Sequence, residues 1–136
     1  MKPTLVIATF LMLQSCTTFT HYTPGCMTVD VSAKKAKVAG KTIPVVTAYR
    51  GTGGRPGSKR TPIGTLEVIA KEPDHRFGPV LRLGGVSQDG YSQDGRGILI
   101  HRAYGNGTRG CIGIPPQQMF AVYSALHVGD TVKISF

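Results

Sequence analysis

Glycine and proline cut this chain into short pieces, and that confines it to a fold built mainly from strands. The 18 glycines and 9 prolines of the 136 residues separate brief apolar runs such as TLEVIA, VLRLGG and GILIH. Runs of that length between turn residues read as strands, since a globular helix usually needs a longer uninterrupted periodic stretch. The length suits one domain with one modest core.

In TVDVS, Val29 and Val31 alternate around Asp30, and AKKAKVAGK returns as a second strand with its lysines in solvent. IPVVTAYR is a third candidate, followed by the three runs already quoted, with EPDHRFGP and VSQDGYSQDGR as separators. DTVKISF supplies the last strand. The one helical pattern is PPQQMFAVYSALHVG: Pro116 suits a first turn, Met119, Phe120, Tyr123 and Leu126 recur on one face, and Gly129 is placed to end it. These elements predict a small open or rolled sheet with one short helix.

The first residues are of another kind. MKPTLVIATFLMLQSC carries an early lysine, an apolar segment from Leu5 to Leu13 too short to span a bilayer, and small polar residues before Cys16, the pattern of a secretory signal. LQSC resembles the bacterial lipobox, with Leu13 and Ser15 at its apolar and small positions and Cys16 as the lipidated residue. That resemblance implies residues 1–15 as leader and membrane attachment through Cys16; residues 16–27, polar and threonine-rich with a Pro-Gly turn, read as a tether and residues 28–136 as the domain. Thr17 is not the aspartate that retains lipoproteins in an inner membrane, which implies the periplasmic face of an outer membrane where the organism has one. Ordinary secretion, with Cys16 paired to Cys26, is the alternative.

Sixteen basic against 7 acidic residues give a formal charge of +9, so a polyanion is attracted from a distance. An anionic wall, a lipid headgroup or a nucleic acid all satisfy that condition. The chain has no zinc-finger spacing, basic helix or aromatic ladder, so no specific nucleic-acid partner is expected. GTGGRPGSKRTPIG departs from the phosphate-loop order. Asp89 and Asp94 lack the donor spacing of a calcium loop, and His75, His101, Cys111 and His127 lack a compact zinc motif. No cofactor or metal is therefore expected, and the oligomeric state is not legible.

Chemistry concentrates in HRAYGNGTRGC, directly after GILI. His101 ends a strand whose stiffness aims the imidazole, and Cys111, the only cysteine inside the predicted domain, follows a glycine turn. A thiol needs a nearby base or positive field to react, and backbone amides around Gly110 and Cys111 suit an oxyanion. The competing reading makes Cys111 a small buried apolar residue and His101 a strand-end residue. A disulfide from Cys26 to Cys111 would silence the thiol.

From about Thr28 to Ser135 the sequence resembles the L,D-transpeptidase catalytic domain family, also called YkuD-like. The resemblance rests on the TVDVS hairpin, TPIG at Thr61 to Gly64, the ILIH strand end, TRGCIGI and the closing HVGDTVKIS, in this order. It implies a mainly β fold, a compact sandwich or roll with the site at strand ends. Cys111 is implied as the nucleophile and His101 as its base, oriented by a backbone carbonyl from the turn after it. Thr108 falls at the usual serine or threonine, Gly110 shapes the nucleophile loop, and Arg109 stands where the family has a second histidine, suited either to hold a substrate carboxylate or to favour a thiolate electrostatically. The interval from His101 to Cys111 is shorter than usual, and Gly113 replaces an arginine or asparagine. The implied substrate is a peptidoglycan stem peptide, attacked between diaminopimelate and terminal D-alanine. An amine acceptor then gives L,D-transpeptidation and water gives L,D-carboxypeptidation. A noncatalytic wall-binding envelope lipoprotein is the reading from a different class.

Overall fold

The protein is described by a computed structural model covering residues 25–136; the leader, Cys16 and the tether up to residue 24 lie outside the described residues. Alternation sorts the strands as the sequence predicts. In β1 (Cys26–Asp30) Met27 and Val29 turn inward, and in β2 (Lys35–Val38) Ala36 and Val38 do so while Lys35 and Lys37 stay in solvent. β3 (Lys41–Pro44), β4 (Gly64–His75), β5 (Gly78–Val86), β6 (Ser92–Arg102), β7 (Ile112–Ile114) and β8 (Thr131–Ser135) complete one eight-stranded sheet in the order β3-β2-β1-β8-β4-β5-β6-β7. β1 runs parallel to β8 and β6 parallel to β7; the other pairs are antiparallel.

The two edges of this sheet are joined by the chain that leaves β3. Val46 and Gly113 exchange backbone hydrogen bonds of 3.0 and 2.8 Å, and the Tyr49 N–H donates to the Thr108 carbonyl at 3.1 Å. IPVVTAYR is therefore not one strand. Ile43 and Pro44 pair with β2, and from Val46 onward it crosses to β7 and the loop before it. The sheet closes almost into a barrel around Leu66, Leu81, Leu83, Ile100, Ile112, Ile114 and Leu126, all at most 2% exposed. Each such side chain contributes about 1.5–3 kcal/mol relative to exposure.

The helix α1 (Pro116–Ala125) begins with proline as expected, but its buried face is Met119 and Val122, continued by Leu126 just beyond its end. Phe120, assigned to that face by periodicity, is 75% exposed. Met119, Val122 and Leu126 are spaced three and four apart, whereas Phe120 sits one residue round the helix from Met119. The helix stops at Leu126, which is extended, so Gly129 (φ 99°) shapes the turn into β8 instead of capping the helix. β1 opens at Cys26, ahead of the predicted Thr28. The buried Asp130 fixes this start by accepting from the Gly25 N–H (3.1 Å) and the His127 N–H (2.8 Å).

One turn carries local strain. Ala39 and Gly40 link β2 to β3 with φ of 51° and 77°, and a two-residue hairpin with both values positive favours Asn-Gly. A methyl side chain in that region is penalised. Ala39→Asn is expected to stabilise the protein by about 0.5–1 kcal/mol, read as a raised urea midpoint at unchanged slope.

Candidate active site

The register of β6 against β7 builds the site. His101 stands opposite Gly113 and Ile100 opposite Ile112, so Cys111, just ahead of β7, lies two residues along the neighbouring strand from the position facing His101. Ile98, Ile100, Ile112 and Ile114 anchor both strands in the core. The histidine and the cysteine are thus mounted on adjacent rigid elements, although a glycine-rich loop separates them in sequence.

His101 is 7% exposed, and its Nδ1 lies 2.6 Å from the Arg102 carbonyl oxygen. A carbonyl can only accept, so Nδ1 carries the proton and Nε2 holds the free lone pair. The imidazole packs between Phe77 (centroids 5.1 Å apart) and Tyr104 (6.0 Å, stacked). Phe77 sits at the β4–β5 hairpin tip beside His75, whose Nδ1 accepts from the Phe77 N–H at 3.1 Å. The Tyr104 hydroxyl donates to the Phe77 carbonyl and receives the Arg102 guanidinium. Burial holds the His101 pKa below its ordinary value; the bond to Arg102 opposes this, and the charge of His75 adds to it.

Cys111 is a free thiol, so no disulfide with Cys26 silences it. It is half-buried and lies outside the hydrophobic core. Its sulfur accepts from the Leu99 N–H at 3.4 Å and its S–H donates to the Gly97 carbonyl at 3.6 Å, both on β6. The resting thiol therefore caps the β6 backbone instead of bonding to His101. Burial raises its pKa, offset in part by the Leu99 N–H. Both shifts favour the uncharged form, of the imidazole and of the thiol.

The loop ahead of Cys111 is wired from two sides. Within it, the Thr108 hydroxyl donates to the Cys111 carbonyl (2.6 Å) and accepts from the Gly110 N–H (3.2 Å). The Gly110 amide is thereby engaged, while the Cys111 N–H has no partner among the described residues. From outside, the fully buried Thr61 of TPIG donates its hydroxyl to the Gly110 carbonyl (3.0 Å) and accepts from the Ala48 N–H (3.0 Å). Gly110 has φ 117°, and a Cβ there would lie 3.1 Å from the Arg60 carbonyl, so only glycine fits.

The departures from the family pattern have physical readings. A Cβ on Gly113 would stand 2.5 Å from Val46 Cγ2 and 3.1 Å from Ala103 Cβ, so the space of the usual polar side chain is filled by apolar groups. Arg109 is exposed and has no ion-pair partner among the described residues. No three His, Cys, Asp or Glu side chains gather into a metal-binding group among the described residues, His75, His101, Cys111 and His127 included. Sequence reasoning missed Phe77 and Tyr104 as packing around the histidine. The only signal was an aromatic residue in each flanking turn.

Together these features define a small domain with a nearly closed sheet that presents a loop-borne cysteine and a backbone-oriented histidine from adjacent parallel strands. The L,D-transpeptidase catalytic domain model, YkuD, matches residues 25–134, and the chain belongs to that family. An L,D-transpeptidase from Mycobacterium tuberculosis shares the fold at TM-score 0.60 and 19% identity, covering 82% of this chain and 57% of its own. One from Mycobacterium smegmatis gives TM-score 0.53 at 23% identity, over 82% of this chain and 58% of its own. One from Stackebrandtia nassauensis gives TM-score 0.54 at 22% identity, over 100% of this chain and 67% of its own. The chain thus spans less than two thirds of the two mycobacterial proteins. No curated protein sequence matches it.

Proposed function

We propose that the chain is a cysteine-dependent acyl-transfer enzyme acting on peptidoglycan stem peptides, with Cys111 as nucleophile and His101 as general base. The observation that carries this reading is the His101 Nδ1 contact to the Arg102 carbonyl, which leaves Nε2 free to take a proton near a half-exposed thiol on the neighbouring strand.

The Cys111 side chain turns from Gly97 toward Nε2 and gives up its proton as sulfur attacks the carbonyl between diaminopimelate and terminal D-alanine. The tetrahedral oxyanion is met by the free Cys111 N–H, with Thr108 holding the loop in shape. Collapse breaks the C–N bond, His101 returns the proton to the leaving amine, and a thioester remains. An amine of a second stem peptide resolves it to a crosslink, and water resolves it to the shortened peptide. Within this reading residues 1–15 are a leader, Cys16 carries lipid, and the domain works in the bacterial envelope.

The test is mass analysis of muropeptides incubated with purified protein. The expected result is a new crosslinked species or loss of D-alanine with the wild type, and neither with Cys111→Ala. Products that persist in the alanine variant overturn the assignment of Cys111, and no product with either protein overturns the enzymatic reading and favours a wall-binding role.

A further inference from the structure

Three arginines stand in or beside the nucleophile loop: Arg109 lies within it, and Arg50 and Arg60 each neighbour in sequence a residue that hydrogen-bonds to it. Arg50 follows Tyr49, whose N–H donates to the Thr108 carbonyl at 3.1 Å. Arg60 precedes Thr61, whose hydroxyl holds the Gly110 carbonyl, and the Arg60 carbonyl itself packs on Gly110. All three are exposed, and none has a carboxylate partner among the described residues, where arginine pairs only as Arg82 with Glu72 and Arg96 with Asp94. Asp89, the carboxylate associated with the glycine-rich segment after Arg50, already accepts from the Gly54 N–H (2.9 Å) and the Ser87 hydroxyl.

Exposed arginines whose backbones border one loop add positive potential there, which attracts an arriving anion. Guanidinium groups suit a carboxylate in particular, because their forked donors match its two oxygens. At Gly113, meanwhile, apolar contacts leave no room for a polar side chain. On the histidine side the Arg102 and Arg76 cations are engaged with Tyr104 and Phe77, whereas Arg109 on the nucleophile loop has no ion-pair partner among the described residues.

We propose that Arg109, flanked by Arg60 and Arg50, binds a carboxylate of the peptide that acylates Cys111, and so makes the site select donors by a free carboxylate. The inference rests on the reading of Cys111 as the acyl acceptor. The carboxylate has two sources in a stem peptide, the terminal one on the leaving residue and the side-chain one of the diamino acid.

Three synthetic tetrapeptides separate these sources: one with both carboxylates free, one amidated at the C-terminus, and one amidated at the diamino-acid side chain. Cys111 acylation is followed by intact-protein mass spectrometry for the wild type, Arg109→Gln, Arg109→Lys and Arg60→Gln. Amidating the recognised carboxylate is expected to slow wild-type acylation about tenfold, the scale of one charge-assisted contact. Arg109→Gln accepts that amide and the free peptide at similar rates, with the loss in KM and not kcat, and Arg109→Lys retains part of the preference. Wild-type acylation that ignores both amidations, or a preference that survives in Arg109→Gln and Arg60→Gln, overturns the proposal while leaving Cys111 as the nucleophile. Failure of every peptide to acylate wild-type Cys111 overturns both.

Discussion

His101→Gln is expected to slow acylation of Cys111 by about 10²–10⁴-fold at neutral pH, the usual contribution of a positioned general base. On the proposed reading a base is required, because burial raises the thiol pKa and no cationic side chain among the described residues bonds to its sulfur. A variant that merely disturbed packing between Phe77 and Tyr104 would be slow at every pH. A lost base predicts a different pattern: the deficit shrinks as pH rises past the thiol pKa, where Cys111 ionises unaided. Acylation rates across pH, with circular dichroism as the folding control, decide between these. A constant ratio of variant to wild type removes His101 from the role of base.

The same pair sets the wild-type profile. His101 must be neutral to accept a proton, and its depressed pKa keeps it so at the ordinary histidine midpoint of about 6.5. The acid limb of the rate therefore lies below that value. Alkylation of Cys111 by iodoacetamide should in turn be slow at pH 7 and accelerate only above the ordinary thiol range of about 8.5. Stability follows the same linkage. The unfolded chain protonates at this histidine before the folded one does, so the contribution is full above about pH 6.5 and is lost as pH falls through the folded pKa.

Which parts of this were legible in the sequence depended on whether the determining contact was local. The alternation of Val29, Val132 and Ile134 reports burial directly, and their strands were read as strands. The histidine and cysteine were legible because strand end and glycine turn are local features. Phe77 was not, because EPDHRFGP reads as a loop until β4 and β5 pair through it and bring the hairpin tip against His101. Phe120 failed for a related reason, since its exposure is fixed by how α1 lies against β5 and β6. Gly110 suited an oxyanion by composition, yet its amide is engaged by a hydroxyl two residues earlier, a choice decided by the Thr108 rotamer.

Thr61→Val is expected to destabilise the protein by about 2–4 kcal/mol and to slow acylation beyond that loss. Valine keeps the shape but deletes the hydroxyl, leaving the Ala48 N–H and the Gly110 carbonyl without their shared partner in a fully buried place. Each buried group so orphaned costs about 1–3 kcal/mol. Thr61→Ser keeps the hydroxyl and is expected to lose far less. The effect on rate follows from position. Thr61 ties the segment joining β3 to β7 to the residue just before Cys111, so its removal frees the loop that holds the sulfur and the Cys111 N–H. Chemical denaturation gives the stability loss, and acylation measured well below the melting temperature separates it from misalignment. If the valine variant acylates at the wild-type rate while folded, Thr61 holds the sheet closed without positioning the site.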